Sequence, residues 1–438
     1  MRPHRFVQRL QGAEFASAMG ALTRMGGEFL EANGPFASVG DYCEIETANG
    51  GPPLIAEVVA VESTLIRLVP LSPPGALALG ASVTRAHGMG EIPVGDAFGG
   101  RAIDGLARPL DGGGLIRPDR RQPKTGQLLP LLDRISPKQR LDTGIRAIDA
   151  LLPLGRGQRV GVFAASGVGK TSLIEQIARQ AACDRLVMCL VGERGREVDK
   201  LWQMLSGTGA RATLVAAAAD ESPGLRLRAI EQAVGLAEHW RDRGEHVLLI
   251  MDSVTRAAQA LREIGLAAGQ PPTVRGLTPN VFSALPRFVE RCGAARGGGA
   301  ITAIMTVLSE TDDVDDPVVE LMKSVLDGHI VLSRTLAEKR HFPAIDISRS
   351  VSRVAGELFG VEEMELLCRA HETIAIYQEA RPMIESGLYR EGASRGIDRA
   401  IALQPELTAF LRQAPDEREE QGDALARLAQ ILAGGGYA

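Results

Sequence analysis

Aromatic residues are scarce in this chain: Phe, Trp and Tyr together make up 4% of 438 residues. That is too few for a base-stacking or carbohydrate-binding platform as the main activity. Excess positive charge is also missing, since 49 Lys and Arg stand against 54 Asp and Glu for a net charge of −5. No global field draws the chain to nucleic acid or anionic lipid. The five cysteines (Cys43, Cys183, Cys189, Cys292 and Cys368) form no CxxC pair. This argues against a disulfide framework or a zinc site and fits a reducing compartment, so they are expected as small apolar core residues. Apolar runs of membrane-spanning length are absent too. The longest, around Val247–Met251 and Ile301–Leu308, have strand length. Arg2, His4, Arg5 and Arg9 precede Glu14, which interrupts the apolar stretch a cleaved signal would need. A cytosolic location is expected.

What is present is ample core material, 45% hydrophobic and 24% charged residues, enough for two to four domains at roughly 100–200 residues each. Residues 1–25 read as a helix with Phe15, Met19, Leu22 and Met25 near one face and Gly26–Gly27 ending it. Such a helix could pack on its own domain or serve as a detachable docking helix. Residues 26–97 change character. Tyr42–Thr47, Leu54–Val61 and Leu65–Val69 are separated by Gly/Pro turns or a short polar break, the pattern of a small β-barrel. From residue 98 to 355, the apolar runs Arg159–Ala165, Arg185–Gly192, Ala212–Ala217, His246–Asp252 and Ala300–Leu308 alternate with segments of helix length. That alternation means βαβ units and a largely parallel sheet. Within it, Arg117–Lys124 carries two prolines and reads as a solvated loop. Residues 356–438 read as helical, with Leu407, Phe410 and Leu411 on one face and Leu425, Leu428 and Leu432 on another.

The strongest chemical signal is Ala164-Ala165-Ser166-Gly167-Val168-Gly169-Lys170-Thr171, followed by Ser172. It follows an expected strand and opens an expected helix, the context a phosphate-binding P-loop requires. Small residues let backbone N–H groups close on phosphate oxygens at the positive end of the helix dipole. Lys170 would then reach the β- and γ-phosphates, and the Thr171 hydroxyl would ligate Mg²⁺. Ala164 stands in the first glycine position of that pattern. A second element is His246–Asp252, an apolar strand ending in a carboxylate suited to ordering a metal's waters. A third is Gly192-Glu193-Arg194-Gly195-Arg196-Glu197 after the strand Arg185–Val191. Its Glu193 could orient an attacking water from a strand next to the P-loop strand, or the segment could be a surface salt-bridge cluster.

Together these elements resemble a known family. Asp142-Thr143-Gly144-Ile145-Arg146-Ala147-Ile148-Asp149, Pro153 and Gly157-Gln158-Arg159 are similar to the run before the P-loop in rotary-type ATPases. Asp252-Ser253-Val254-Thr255-Arg256, Arg262-Glu263-Ile264-Gly265, Pro271-Pro272, Asp312-Asp313…Asp316-Pro317 and Leu326-Asp327-Gly328-His329 resemble type III protein-export ATPases in particular, and within them the flagellar branch. The likeness runs from about residue 36 to 413. It implies an α/β P-loop NTPase (RecA-like) core between an N-terminal β-barrel and a C-terminal helical domain.

The resemblance also implies roles. Glu193 falls on the carboxylate that polarises the lytic water, and Arg353 on an arginine finger that reaches the neighbouring subunit's γ-phosphate. Phe342 matches an aromatic that packs on adenine, with Tyr389 a second adenine contact and Arg256 near the γ-phosphate. The implied enzyme hydrolyses ATP with Mg²⁺ as a homohexamer at the inner face of the cytoplasmic membrane. Its partners would be a regulator on the N-terminal helix, a central stalk protein, export chaperones with flagellar substrates, and a membrane export gate; nucleic acid is not among them. A secretion-injectisome ATPase shares this chemistry, and a rotary ATP synthase catalytic subunit, an RNA translocase and a noncatalytic ring subunit are further readings. Two departures stand out. Ala165 occupies a usual glycine position, and Asp416-Glu417-Arg418-Glu419-Glu420, where no acidic lever motif is recognisable, reads as a solvated charge run.

Overall fold

Alternating side chains build the first unit. The computed structural model describes residues 18–434 apart from Glu28, Gln127, Thr208 and residues 310–315. Strands Met19–Met25, Leu30–Ala32, Tyr42–Ile45, Leu54–Glu62, Leu65–Pro70 and Ser82–Arg85 (β1–β6) close into a barrel in the order β1-β2-β5-β4-β3-β6. Every second residue of β4 (Leu54, Ala56, Val58) points inward to meet Leu22, Ile45, Leu68 and Val83, the period a half-buried strand requires.

The helix expected over residues 1–25 is therefore corrected for its last quarter, because Met19–Met25 is a strand that pairs with both β2 and β6. Leu22 lies three positions from Met19 and from Met25. That spacing shares a face in a helix but puts residues on opposite faces of a strand. Leu22 is accordingly 1% exposed while Met19 is 65% and Met25 44% exposed. Gly20 matters here, since a Cβ on it would lie 2.2 Å from the Gly34 backbone. Residues 1–17, Phe15 among them, lie outside the described residues.

Strand Glu91–Val94 (β7) then pairs antiparallel with Arg120–Pro123 (β9), and Ala102–Ile103 (β8) lies between them in sequence. The loop expected at Arg117–Lys124 is thus half strand. Arg117, Asp119, Arg120 and Arg121 are exposed as expected, but two polar residues are not solvated: Gln122 Nε2 donates to Gly235 O at 3.1 Å, and Lys124 Nζ meets Glu57 and the Tyr42 hydroxyl of the barrel.

The main sheet consists of Arg159–Ala164 (β10), Arg185–Glu193 (β11), Ala212–Ala218 (β12), His246–Asp252 (β13), Ala300–Leu308 (β14), Gly328–Leu332 (β15) and Ile345–Ser352 (β16), with β8 at one edge. The spatial order is β16-β15-β10-β14-β13-β11-β12-β8, parallel except for the edge strand β16; off this path Gly293–Ala295 pairs antiparallel with β14 and Arg134–Ile135 with that strand in turn. Both faces of the central strands β10–β14 are covered, so these are near-continuous apolar runs, whereas the edge strand β16 alternates. Leu186, Met188 and Leu190 of β11 belong to one core, and Val187, Cys189 and Val191 to the other.

Helices Arg146–Leu151 (α1), Lys170–Gln180 (α2) and Gly195–Ser206 (α3) contribute to the first core. Pro223–Arg241 (α4), Val254–Ala267 (α5), Pro279–Glu290 (α6) and Pro317–Val325 (α7) cover the second. Helices Val361–Glu385 (α8), Arg395–Leu411 (α9) and Gln421–Gly434 (α10) follow, and Leu407, Phe410, Leu428 and Leu432 join the first core. Cys43, Cys189 and Cys292 are buried as expected, whereas Cys368 is exposed. No helix among the described residues is long and apolar enough to cross a membrane.

One buried cation ties the end of α9 and the segment leading to α10 to the sheet unit. Arg146 of α1, 2% exposed, donates from Nε to Phe410 O at 2.9 Å and from Nη1 to Glu419 at 2.8 Å. It also pairs with Glu417 and with Arg412 O, and its backbone N–H donates to Gln413 Oε1 at 2.9 Å. Two residues of the acidic run at 416–420, Glu417 and Glu419, therefore clamp Arg146, which corrects the solvated reading for them, while Asp416 and Glu420 are exposed; sequence distance from residue 146 hid the clamp. Leaving these carboxylates and carbonyls without the guanidinium should be costly, on the order of 3 kcal/mol. Arg146→Ala is expected to lower the urea midpoint of the tryptophan-silent C-terminal region, read by hydrogen exchange of α9 and α10, with less change in β1–β6. Equal loss of protection in the barrel would contradict a local clamp.

Candidate nucleotide site

β10 runs through the middle of the sheet between β15 and β14 and ends at the buried Ala164. The chain leaves the sheet through Ala165–Gly169 and enters α2 at Lys170. Gly167 and Gly169 hold φ of 79° and 93°, which only glycine adopts without strain. Ala165 is not among the described non-glycine residues with positive φ, which are Ser63, Ala107, Arg275 and Arg340. The methyl that replaces the usual glycine there needs no left-handed backbone. Val168, 2% exposed, plugs the loop into the first core. Ser166 and Gly167 stay at the surface, and Thr171 and Ser172 form the first turn of α2, whose N-terminal N–H groups favour an anion.

Asp252 closes β13 at 4% exposure. Its Oδ1 accepts from Thr306 Oγ1 at 2.6 Å and pairs with Lys170 Nζ. Ser253 then caps α5 by accepting from Arg256 N at 3.3 Å, so the strand's end and the helix's start fix Asp252 between them. Thr306 was not singled out by sequence reasoning. The signal was available, because Thr302 and Thr306 are the polar interruptions in the apolar run Ala300–Leu308, and both are fully buried. A polar group at such a position needs a partner.

Glu193 ends β11, and its carboxyl is pushed up to about 7 by burial first, then by the charge of Asp252 and a hydrogen bond to Glu197, with Lys170 opposing. Its strand is not next to β10, contrary to the expectation. β14 and β13 intervene, because the strand that comes fourth in sequence among these lies adjacent to the P-loop strand in space. Arg256 lies alongside: a Cβ on Gly192, whose φ is 72°, would sit 3.0 Å from the Arg256 Cβ. Arg256 Nη1 donates to Gln259 at 3.1 Å, and its buried Nε has no hydrogen-bond partner among the described residues. Phe342 packs on the loop from the other side, with its ring 3.2 Å from where a Gly169 Cβ would project.

Two expected residues are not brought to this cluster. The Tyr389 hydroxyl donates to Asp398 Oδ1 at 2.8 Å and accepts from Ser394 N at 3.2 Å, which ties it to the start of α9. Arg353 follows β16 at the opposite edge of the sheet, where Ser352 pairs with Gly328. The span of β10 separates it from its own P-loop, about 20 Å for six residues at ~3.3 Å each. Within one chain Arg353 therefore cannot reach a phosphate held by Lys170.

Thr171 and Asp252 offer hydroxyl and carboxylate oxygens beside the phosphate loop, the hard donor set that suits Mg²⁺. The buried Asp252 also needs a cation at its surface, which Lys170 supplies here.

Comparison with known proteins agrees with this geometry. Residues 144–352 match the ATP synthase alpha/beta family, nucleotide-binding domain, and residues 361–430 the T3SS EscN ATPase C-terminal domain. The chain is 43% identical to the flagellum-specific ATP synthase of Pseudomonas aeruginosa over 98% of both chains. It is 40% identical to the type 3 secretion system ATPase of Pseudomonas savastanoi pv. phaseolicola, covering 97% of this chain and 96% of that one. The assembled ATPase EscN of the enteropathogenic E. coli type III secretion system superposes with a TM-score of 0.90 at 37% identity, over 94% of this chain and all of EscN. EscN in complex with its central stalk EscO gives 0.86 at 36% identity over the same shares. Matched nearly end to end by relatives of both kinds, and with the phosphate loop built as the nucleotide-binding domain requires, this chain belongs to the type III export ATPases, ATP-hydrolysing enzymes of the ATP synthase alpha/beta family.

Proposed function

We propose that this enzyme couples ATP hydrolysis to flagellar protein export, releasing substrates from their chaperones and passing them to a membrane export gate. The observation that supports the chemistry is the meeting of Lys170, Asp252 and Thr306 beside a glycine-shaped loop, with Glu193 at the same edge of the sheet. Lys170 and the backbone N–H groups of 165–171 hold the phosphates, with Ser172 in the same turn, and Phe342 offers its ring to adenine. Tyr389 keeps its role in holding the start of α9. Incoming phosphate competes with Asp252 for Lys170, which frees the carboxylate to face a metal. Bound Mg²⁺ would be held by Thr171 directly and by Asp252 through water, and supplies charge neutralisation at the phosphates. Glu193 accepts a hydrogen bond from the attacking water and aligns it, while Arg256 lies along the path to the γ-phosphate.

Arg353 acts in trans. Its place on the far edge of the sheet supports a head-to-tail ring, read as a homohexamer, in which each site is finished by the next subunit. A trans arginine is worth about 10³–10⁵ in rate. The regulator would dock on the segment before Met19, and a central stalk protein would thread the ring, as EscN's complex with EscO suggests for a relative. Such partners place the enzyme in the cytoplasm at the inner membrane face. The match to the EscN C-terminal domain and to a secretion-system relative favours a second reading, an injectisome ATPase of the same chemistry.

Deleting the gene in its host and complementing with wild type or Lys170→Ala separates the two. Loss of filament and motility restored by wild type alone supports flagellar export; intact motility with lost effector secretion supports the injectisome. Removing residues 2–17, which spares β1, should abolish regulator binding and leave the barrel folded. Unchanged regulator affinity would remove that docking assignment.

The pH profile tests Glu193. Burial and Asp252 keep its proton on up to about pH 7, and the protonated acid is too weak a base to polarise the attacking water. Hence kcat/KM for ATP, which reports the free enzyme, should fall about tenfold per pH unit below that point and level off above it. A flat profile between pH 6 and 8 would exclude Glu193 as the aligning base. Arg353→Ala should cut kcat by about 10³-fold or more while ATP binding is retained; lost binding would mark a structural arginine.

A further inference from the structure

Arg353 is held by its own chain in a specific place. Its backbone N–H donates to Asp327 O at 3.0 Å, and its guanidinium donates to Lys323 O at 3.0 Å and Leu326 O at 3.2 Å. These carbonyls belong to the last turn of α7 and the residues just after it, where a helix's partial negative charge favours a cation. The turn 323–327 therefore sets where Arg353 rests.

That turn is fixed in its own right by Arg159. Asp327 Oδ2 accepts from Arg159 N and Nε, each at 2.9 Å, and Oδ1 accepts from Arg159 Nη2 at 2.9 Å. The remaining guanidinium nitrogen, Nη1, meets Glu290 Oε1 at 2.9 Å, and Glu290 Oε2 accepts from Arg134 Nη1 at 2.8 Å. The planar fork of an arginine matches a carboxylate in two places at once, which an ammonium cannot do. Arg159 is also the first residue of β10, the strand whose other end opens the phosphate loop.

We propose that Arg159 is a positioning residue for hydrolysis: through Asp327 it holds the turn that presents Arg353 to the neighbouring subunit, and it ties that turn to the strand carrying this chain's own phosphate loop. The inference rests on Arg353 acting in trans. An arginine displaced by about 1 Å loses on the order of 10² in rate, so the anchor should be visible in turnover and absent from binding.

The test uses the full-length chain as wild type, Arg159→Met, Arg159→Lys, Arg353→Ala and the Arg159→Met/Arg353→Ala double variant. Steady-state and single-turnover ATP hydrolysis, titration with a fluorescent ATP analogue and sedimentation are compared. Arg159→Met should lower kcat about 10- to 100-fold with KM, analogue affinity and assembly within about twofold of wild type. Arg159→Lys should recover part of the loss, and Arg159→Met should cost nothing further once Arg353 is gone. If Arg353→Ala is inactive while Arg159→Met keeps wild-type kcat, the positioning role is overturned and the trans arginine stands. An equal additional loss in the Arg353→Ala background, or a fall in analogue affinity or assembly that tracks kcat, would also overturn it, as action on the chain's own loop or on folding. Wild-type turnover by Arg353→Ala would instead remove the trans reading and this inference with it.

Discussion

Everything at the site depends on keeping one carboxylate charged at the end of an apolar strand. Asp252 emerges from six residues buried on both faces, and burial of an unpaired charge there would cost several kcal/mol. Thr306 from the neighbouring strand and Lys170 from the P-loop helix remove that penalty from two directions. The pairing joins the ends of β13 and β14 to the start of α2. The negative charge of Asp252 also raises the proton affinity of the neighbouring Glu193, with Lys170 opposing. The phosphate loop's Lys170 and the carboxyl of Glu193 thus both feel the charge of Asp252.

Much of this was legible from one dimension. The P-loop motif needs local context only, a strand before and a helix after, and both are found within one residue of where the apolar pattern put them. The five central strands were equally readable because strands covered on both faces are continuous apolar runs. The β-barrel's middle strands, Leu54–Glu62 and Leu65–Pro70, were marked by turns on either side.

What escaped is what depends on pairing across the chain. Met19, Leu22 and Met25 fit a helical face by spacing, and only the partners β2 and β6 decide that the segment is extended. Gln122 and Lys124 look solvated until the helix α4 and the barrel are placed beside them. Glu417 and Glu419 look like a surface run until Arg146, more than 260 residues earlier, is brought between them. The spatial order of strands was hidden for the same reason: β14 is late in the sequence and adjacent to β10 in space. Family resemblance supplied roles for Glu193 and Arg353, while the distance of Arg353 from its own loop came only from topology.

The closed barrel has a mechanical consequence. The chain enters it directly at Met19, and β1 is held on one side by β2 and on the other by β6. A tensile load applied to the preceding segment along the strand axis loads both ladders in shear, so their hydrogen bonds resist together rather than parting one by one like a zipper. With Leu22 plugged into the barrel interior and Gly20 seated against Gly34, that strand is a fastened tether point, and a force arriving there is delivered to the barrel wall as a whole.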